Sequence, residues 1–125
     1  MHKNLSVITL SNKGYIKYTK NLIRSIEKNH IDINLKIYVM DNYSFNYFKK
    51  LNQNVELLDG INNQKFLKQD SKDFGTYMLQ KLKIIYSSLL NFEDVVYLDG
   101  DIVIKKNFLN YLRENEKDYD LMIQN

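Results

Sequence analysis

The chain contains no cysteine, proline or tryptophan, and it has only four glycines and two histidines. Without cysteine, neither a disulfide framework nor a thiolate zinc site can form. The few glycines match neither the phosphate-loop pattern G-x-x-x-x-G-K-[ST] nor the dinucleotide-binding pattern G-x-G-x-x-G. His2 and His30 have no partner at metal-ligand spacing, so we do not expect a histidine metal site. These absences count against several common classes of nucleotide-binding and metal-binding protein.

Long hydrophobic runs and charge clusters are also missing. No apolar stretch approaches the roughly 18 residues of a transmembrane helix, and the opening MHKNLSVITLS lacks the apolar core of a signal peptide. The net charge is only +3, and no run of lysine or arginine is longer than two. We therefore expect a soluble, cytoplasmic protein with neither a membrane span nor a nucleic-acid partner.

Short runs rich in β-branched and aromatic residues alternate with segments in which apolar residues recur every three or four positions. Such runs predict strands, and such segments predict amphipathic helices. The predicted strands are Leu5–Leu10, Leu35–Met40, Val55–Leu58, Asp94–Leu98 with a short continuation at Ile102–Ile104, and Asp120–Gln124. The predicted helices are Tyr15–Asn29, Tyr43–Leu51, Thr76–Leu90 and Asn107–Glu114, with a loop containing a helical turn at Ile61–Asp73.

This alternation predicts one α/β domain over residues 1–125, with a Rossmann-like, mostly parallel sheet and helices on both faces. In such sheets ligands bind outside the carboxyl ends of the strands, where the strand order reverses. The segments that follow the predicted strands are therefore the candidate ligand-binding positions: Ser11–Tyr15, Asp41–Tyr43, Asp59-Gly60 and Asp99–Asp101.

Two carboxylates interrupt the apolar run VVYLDGDIVI at residues 95–104. Asp99 and Asp101 follow a strand that we expect to lie inside the sheet, whereas Asp118-Tyr119-Asp120 lies in a polar stretch typical of a solvated loop. Adjacent carboxylates repel each other unless a cation lies between them, and oxygen-only ligands suit Mg²⁺ or Mn²⁺. Gly100 leaves room for backbone or ligand to approach. The pattern predicts a divalent metal site, with a tight turn carrying two solvated aspartates as the alternative.

The run VVYLDGDIVI resembles the Asp-x-Asp strand of GT-A-type glycosyltransferases, and more narrowly of the glycogenin-like and galactosyltransferase groups. Other segments agree. SNKGYIKYTKNLIRSI resembles the family's opening loop and helix, and QKLKIIYSSLL resembles the helix that carries a basic residue before the motif. NFLNYL and DYDLMIQN resemble the segment after the motif. The resemblance extends over nearly the whole chain in the family's order.

The resemblance implies a metal-dependent glycosyltransferase of the hexosyltransferase type, or its donor-binding domain, that binds a UDP-sugar or a related nucleotide sugar with Mn²⁺ or Mg²⁺. Asp101 would bind the ion most directly, and Asp99 would contact the ion or the ribose. The positions implied to line the nucleobase are Thr9, Leu10 and Ser11. Asp41 would accept a hydrogen bond from the uracil imide or the ribose. Tyr15 would stack on the base, with a place in the core as the alternative.

Two lysines compete for the family's basic role. The predicted helix Thr76–Leu90 carries an apolar stripe of Met78, Leu82, Ile85 and Leu89. Lys81 lies beside this stripe and Lys83 lies away from it. We therefore expect Lys81 to reach phosphate or sugar, or to extend along the apolar surface without a ligand, and Lys83 to be solvated.

The family's acceptor-binding half, its third metal ligand and its catalytic side chains have no counterpart here. We expect the chain to be the N-terminal, donor-binding part of a longer glycosyltransferase, or a shortened protein. One alternative is a catalytically inactive nucleotide-sugar-binding or interaction module on the same fold. Another is a nucleotidyltransferase or an aspartyl-phosphate hydrolase, although the hydrolase motif normally follows the first strand.

Overall fold

The computed structural model describes residues 4–58, 72–115 and 121. The strands are β1 (Leu5–Ser11), β2 (Leu35–Val39), β3 (Asn54–Leu57) and β4 (Asp94–Tyr97). The α-helices are α1 (Ile16–Lys28), α2 (Asn42–Lys50), α3 (Lys72–Leu89) and α4 (Leu109–Asn115), and a 3-10 turn (Lys13–Tyr15) leads into α1.

The four strands form one parallel sheet in the order β3-β2-β1-β4, which confirms the predicted Rossmann-like α/β fold. The chain proceeds from β1 outward to β3, and then α3 carries it back across the sheet to β4 on the other side of β1. The strand order therefore reverses between β1 and β4. Among the described residues β4 lies at the edge of the sheet, whereas the sequence analysis placed it inside.

Each face of the sheet has its own hydrophobic layer, because alternate side chains of a strand point to opposite faces. Val7, Ile37 and Val39 pack with Leu22 of α1 and Phe48 of α2 on one face. The layer on the other face, which α3 covers, consists of Ile8, Leu10, Tyr38, Met40, Tyr77 and Ile84. Both sides of β1 are thus buried, as is typical of a central strand in a parallel sheet.

Helices α1 and α2 end in the same way. His30 and Asn52 adopt the left-handed conformation, with φ of 52° and 57°. After α1, the N–H of His30 donates to Glu27 and that of Ile31 donates to Ile26, which is the Schellman arrangement. Asn52 and the residue after it repeat the pattern behind α2. These turns redirect the chain into β2 and β3.

The buried face of α3 differs from the predicted one. Tyr77, Ile84 and Ser88 are buried, whereas Leu82 and Leu89 of the predicted stripe are 60% and 51% exposed. The predicted stripe was therefore wrong for Leu82 and Leu89, whereas its Met78 and Ile85 pack partly buried against the sheet layer. In the structure, the face that packs on the sheet is the one with the tyrosine and the serine. The helix also begins four residues before the predicted start at Thr76.

Residues 102–104 were predicted to continue β4 but form no strand. The chain instead crosses α1. Its Ile104 N–H donates to Ser25 Oγ at 2.9 Å, and Asn29 Nδ2 donates to the Ile104 carbonyl at 2.7 Å. These side chains offer the backbone partners that a sheet would otherwise supply. Helix α4 begins at Leu109, two residues after its predicted start at Asn107, and Asn107 Oδ1 accepts from the Leu109 N–H at 3.0 Å.

Several predicted features lie wholly or mostly outside the described residues. They are the loop Ile61–Asp73 up to residue 71, the pair Asp59-Gly60, the second Asp-x-Asp at 118–120 and all of the strand Asp120–Gln124 except Leu121. Within the described segments, no helix combines the length and the apolar character that crossing a membrane requires.

Candidate functional site

The acidic segment 99–101 follows β4 directly beside the end of β1. Thr9 Oγ1 donates to the Leu98 carbonyl at 2.6 Å and so joins the two strand ends. Gly100 is buried, and a Cβ atom at this position would lie 3.0 Å from the Leu10 carbonyl oxygen and 3.4 Å from Thr19 Oγ1. Backbone, rather than ligand, therefore uses the space that the glycine leaves. The close approach fixes the segment that carries both aspartates.

Asp99 and Asp101 themselves are exposed at this edge. Lys81 Nζ lies 3.4 Å from Asp99 Oδ1, and the two side chains are 25% and 55% exposed. Among the described residues Asp101 makes no ion pair. A solvent-exposed ion pair of this length contributes little to stability, so Lys81 is free to exchange Asp99 for another anion. The structure thus brings Lys81 and Asp99 together and leaves Lys83 exposed, while the predicted contact of Lys81 with phosphate or sugar stays a prediction.

Lys81 contacts Tyr97, which in turn lies close to Tyr77. The Lys81 Nζ lies 4.5 Å from the centroid of the Tyr97 ring, a cation–π contact. The Tyr97 hydroxyl is buried and has no partner in hydrogen-bond geometry among the described residues, although Tyr77 lies close enough to affect its pKa. Burial raises the pKa of Tyr77 to about 12, and burial also raises the pKa of Tyr97. Both rings are therefore neutral near pH 7.

Tyr15 packs against protein. Its ring stacks on Tyr77, with centroids 6.0 Å apart and planes 21° apart, and the residue is 9% exposed. Phe74 stacks on the opposite side of Tyr77 at 6.3 Å. This aromatic row joins the start of α1 to α3. Base stacking by Tyr15 stays a prediction, and in this structure the ring occupies the core position that was its alternative.

Thr9, Leu10 and Ser11 are fully buried at the end of β1. Leu10 belongs to the hydrophobic layer under α3. Ser11 Oγ and Thr19 Oγ1 lie 2.8 Å apart and share a hydrogen bond, which ties β1 to α1. The predicted contact of these three residues with a nucleobase stays a prediction, and in this structure their side chains pack inside the protein.

Asp41 caps α2. Its carboxylate accepts the backbone N–H of Ser44 at 2.8 Å, the Ser44 hydroxyl at 2.9 Å and the Lys13 N–H at 2.8 Å. The residue is 1% exposed. The predicted contact with uracil or ribose stays a prediction. In this structure the carboxylate joins the turn that follows β1 to the start of α2.

The chemistry of the acidic segment fits Mg²⁺ or Mn²⁺. Both ions prefer oxygen ligands, and Mg²⁺ commonly uses one or two carboxylates together with water and phosphate oxygens. Asp99 and Asp101 supply two such carboxylates in a rigid, solvent-accessible segment. No group of three or more Asp, Glu or His side chains that could hold a metal occurs in the part of the chain that the structure describes. Any further ligands would come from the phosphates, from water or from outside those residues.

A cavity among the described residues lies elsewhere. It measures about 520 Å³ and opens at the amino edge of the sheet, between Asp32, Asn34 and Lys36 on one side and Phe92 on the other. Lys36 there pairs with Glu56 at 3.2 Å. We place the candidate site at the opposite edge, because parallel sheets bind ligands where their strand order reverses.

Comparison with models of known protein families gave no match, and no curated protein sequence was significantly similar to this chain.

Three residues of this edge were not singled out from the sequence. The hydroxyl of Thr19 shares a hydrogen bond with Ser11, and that of Ser44 donates to Asp41. The ring of Tyr97 makes the cation–π contact with Lys81. The sequence contained one usable signal, because Asp41 and Ser44 have the spacing of an N-cap and the third residue of a helix. No local pattern indicates the other two, since their partners lie on different elements.

Proposed function

We propose that the carboxyl edge between β1 and β4 binds the diphosphate of a nucleotide sugar, with a divalent cation held by Asp99 and Asp101, and that the chain is the donor-binding part of a glycosyltransferase. The observation that carries the proposal is the position of the two exposed carboxylates. They follow the strand at which the strand order reverses, on a segment that Gly100 fixes against β1. The resemblance of the surrounding sequence to the GT-A family supports the same reading.

The residues of the edge have separate roles in this proposal. Asp101, which makes no ion pair among the described residues, is the first ligand for the cation, and Asp99 is the second. Lys81 lies within 3.4 Å of Asp99 and donates to a phosphate oxygen when the diphosphate is present. A bound divalent cation would act as a Lewis acid that neutralises the departing nucleoside diphosphate. Thr9 and Gly100 keep the carboxylates in place through backbone contacts.

Calorimetric titration of the protein with UDP, with and without Mn²⁺, tests this proposal. We expect binding that requires Mn²⁺ and that weakens at least tenfold in Asp101→Asn, roughly 1.4 kcal/mol or more. Asp32→Asn is the matched control, because Asp32 is also exposed but lies at the amino edge. Failure of the protein to bind UDP, or equal binding by the protein and Asp101→Asn, would show the proposal to be wrong.

Binding and transfer are separate questions. A chain that binds UDP with Mn²⁺ but neither hydrolyses UDP-sugars nor transfers the sugar would be a binding module. Release of UDP from UDP-glucose or UDP-galactose, followed over time, decides between the enzyme and the inactive module. The Asp101→Asn variant serves as the blank in that assay.

A further inference from the structure

A second feature of the molecule lies on the other side of β1, between helices α1 and α2. It is an open groove of about 450 Å³. Six of its lining side chains are cationic or aromatic: Lys13, Lys17, Lys20, Arg24, Tyr43 and Tyr47. Within the ranges 4–58 and 72–115, no acidic side chain lines it. We refer to it below as the basic groove.

The cations of the basic groove form one stripe along α1 and the turn before it. Their spacing of four, three and four residues places Lys13, Lys17, Lys20 and Arg24 on a single side of the helix. None of the four side chains makes an ion pair with a carboxylate in the part of the chain that the structure describes. Like charges at these spacings repel each other. The repulsion therefore lacks compensation within the described protein.

The position of these charges on the helix makes their electrostatic energy more unfavourable. The first turn of α1 contains no acidic residue, and Tyr15 at its N-cap makes no capping hydrogen bond through its side chain. Lys17 lies in that first turn, at the positive end of the helix dipole, where an acidic residue would be favoured. A sequence that departs from such a local preference without a structural gain commonly does so for function.

Aromatic rings hold the cations toward the groove. Lys13 Nζ lies 4.7 Å from the Tyr43 centroid, and Lys20 Nζ lies 5.9 Å from the Tyr47 centroid. Tyr43 is 53% exposed, so its ring is accessible from solvent. The groove thus combines several unpaired positive charges with two tyrosine walls. Such a surface complements a ligand that bears several negative charges beside a ring.

We propose that the basic groove binds a soluble phosphorylated ligand with at least two negative charges, independently of the metal-dependent site at residues 99–101. A groove of this volume between two helices, rather than a flat cationic face, suits a compact phosphorylated compound better than the plane of a membrane. Because the ligand contacts lysine and arginine directly, binding needs no divalent cation and weakens as salt increases. The proposal does not depend on the function proposed above.

Tripolyphosphate is the probe, added to the ¹⁵N-labelled protein in EDTA so that the metal-dependent site does not respond. We expect chemical-shift changes at residues 13–24 and 43–47, and at least tenfold weaker binding in the double variant Lys17→Gln/Lys20→Gln. The matched control is Lys105→Gln/Lys106→Gln, which removes the same charge from exposed positions outside the groove. This control variant should bind as the unaltered protein does.

Several results would overturn the proposal. They are the absence of tripolyphosphate binding, equal weakening in both double variants, or shift changes centred on residues 99–101. Vesicles containing phosphatidylglycerol form the second arm. Binding to these vesicles without binding to tripolyphosphate would mean that the groove is a membrane-contact surface, and the proposed soluble ligand would be wrong.

Discussion

Replacement of Gly100 by alanine tests how the acidic segment is held. The added Cβ would lie 3.0 Å from the Leu10 carbonyl oxygen, several tenths of an ångström closer than carbon and oxygen normally approach. That oxygen belongs to β1, which pairs with β2 on one side and β4 on the other, so it has little freedom to move. Overpacking of this kind costs about 1–3 kcal/mol. We expect Gly100→Ala to lower the free energy of unfolding by that amount.

Gly75→Ala is the matched control, because the same methyl group at that position meets nothing within 4 Å. Gly75 lies inside α3, where alanine is favoured over glycine by roughly 0.5–1 kcal/mol. The two variants should therefore shift stability in opposite directions. Urea denaturation followed by far-ultraviolet circular dichroism measures both, and UDP titration with Mn²⁺ should show weaker binding for Gly100→Ala only. If Gly100→Ala were as stable as the unaltered protein, the inferred contact with β1 would be wrong.

Substitutions at three further positions test other contacts by urea denaturation. Asp41→Ala should destabilise the protein by about 2–4 kcal/mol, because it removes a helix cap and leaves buried donors unpaired, while Asp41→Asn should cost less; equal losses would contradict this. Because the pKa of Tyr77 is raised to about 12, the folded state keeps the phenol proton that the unfolded chain releases near pH 10. Tyr77 alone should account for a fall in stability of about 1 kcal/mol between pH 9 and 11, in addition to any fall from Tyr97, so Tyr77→Phe should show a smaller total fall. His30→Gly should stabilise the protein by roughly 0.5–1 kcal/mol, since glycine adopts the left-handed conformation without strain, and His30→Ala should not.

The strands and their parallel arrangement were predictable because the spacing of apolar residues and the order of the elements can be read directly along the chain. The apolar spacing of VVYL and LKIYV does not fit a helix. Because such strands alternate with helical segments along the chain, only a few topologies are compatible with the sequence. The position of Asp99 and Asp101 at a strand end followed from the same reasoning. The sequence predicted that Lys81 reaches inward from α3 but not that it meets Asp99, because the buried face of α3 runs through Tyr77 and Ile84 rather than along the predicted stripe.

Contacts between distant elements were not predictable. The Gly100 approach to β1 joins residues about ninety positions apart, and no pattern within either segment encodes it. The failure of residues 102–104 to form a strand has the same origin, because Ser25 and Asn29 of α1 supply their hydrogen bonds. The three consecutive β-branched residues Ile102, Val103 and Ile104 favour a strand by their local preference. Packing against α1 overrides that preference.

The strand order also determines when the sheet can be completed during synthesis. Strands β1, β2 and β3 pair in the order in which the ribosome delivers them, but β1 keeps one open side until β4 arrives. The end of β4 at Tyr97 lies 40 residues beyond the end of β3 at Leu57, which is about 2–8 s of translation at ordinary rates. During that interval the nascent sheet presents an unpaired edge at its future centre. The acidic edge is consequently among the last parts of the sheet to form, after most of its hydrophobic support already exists.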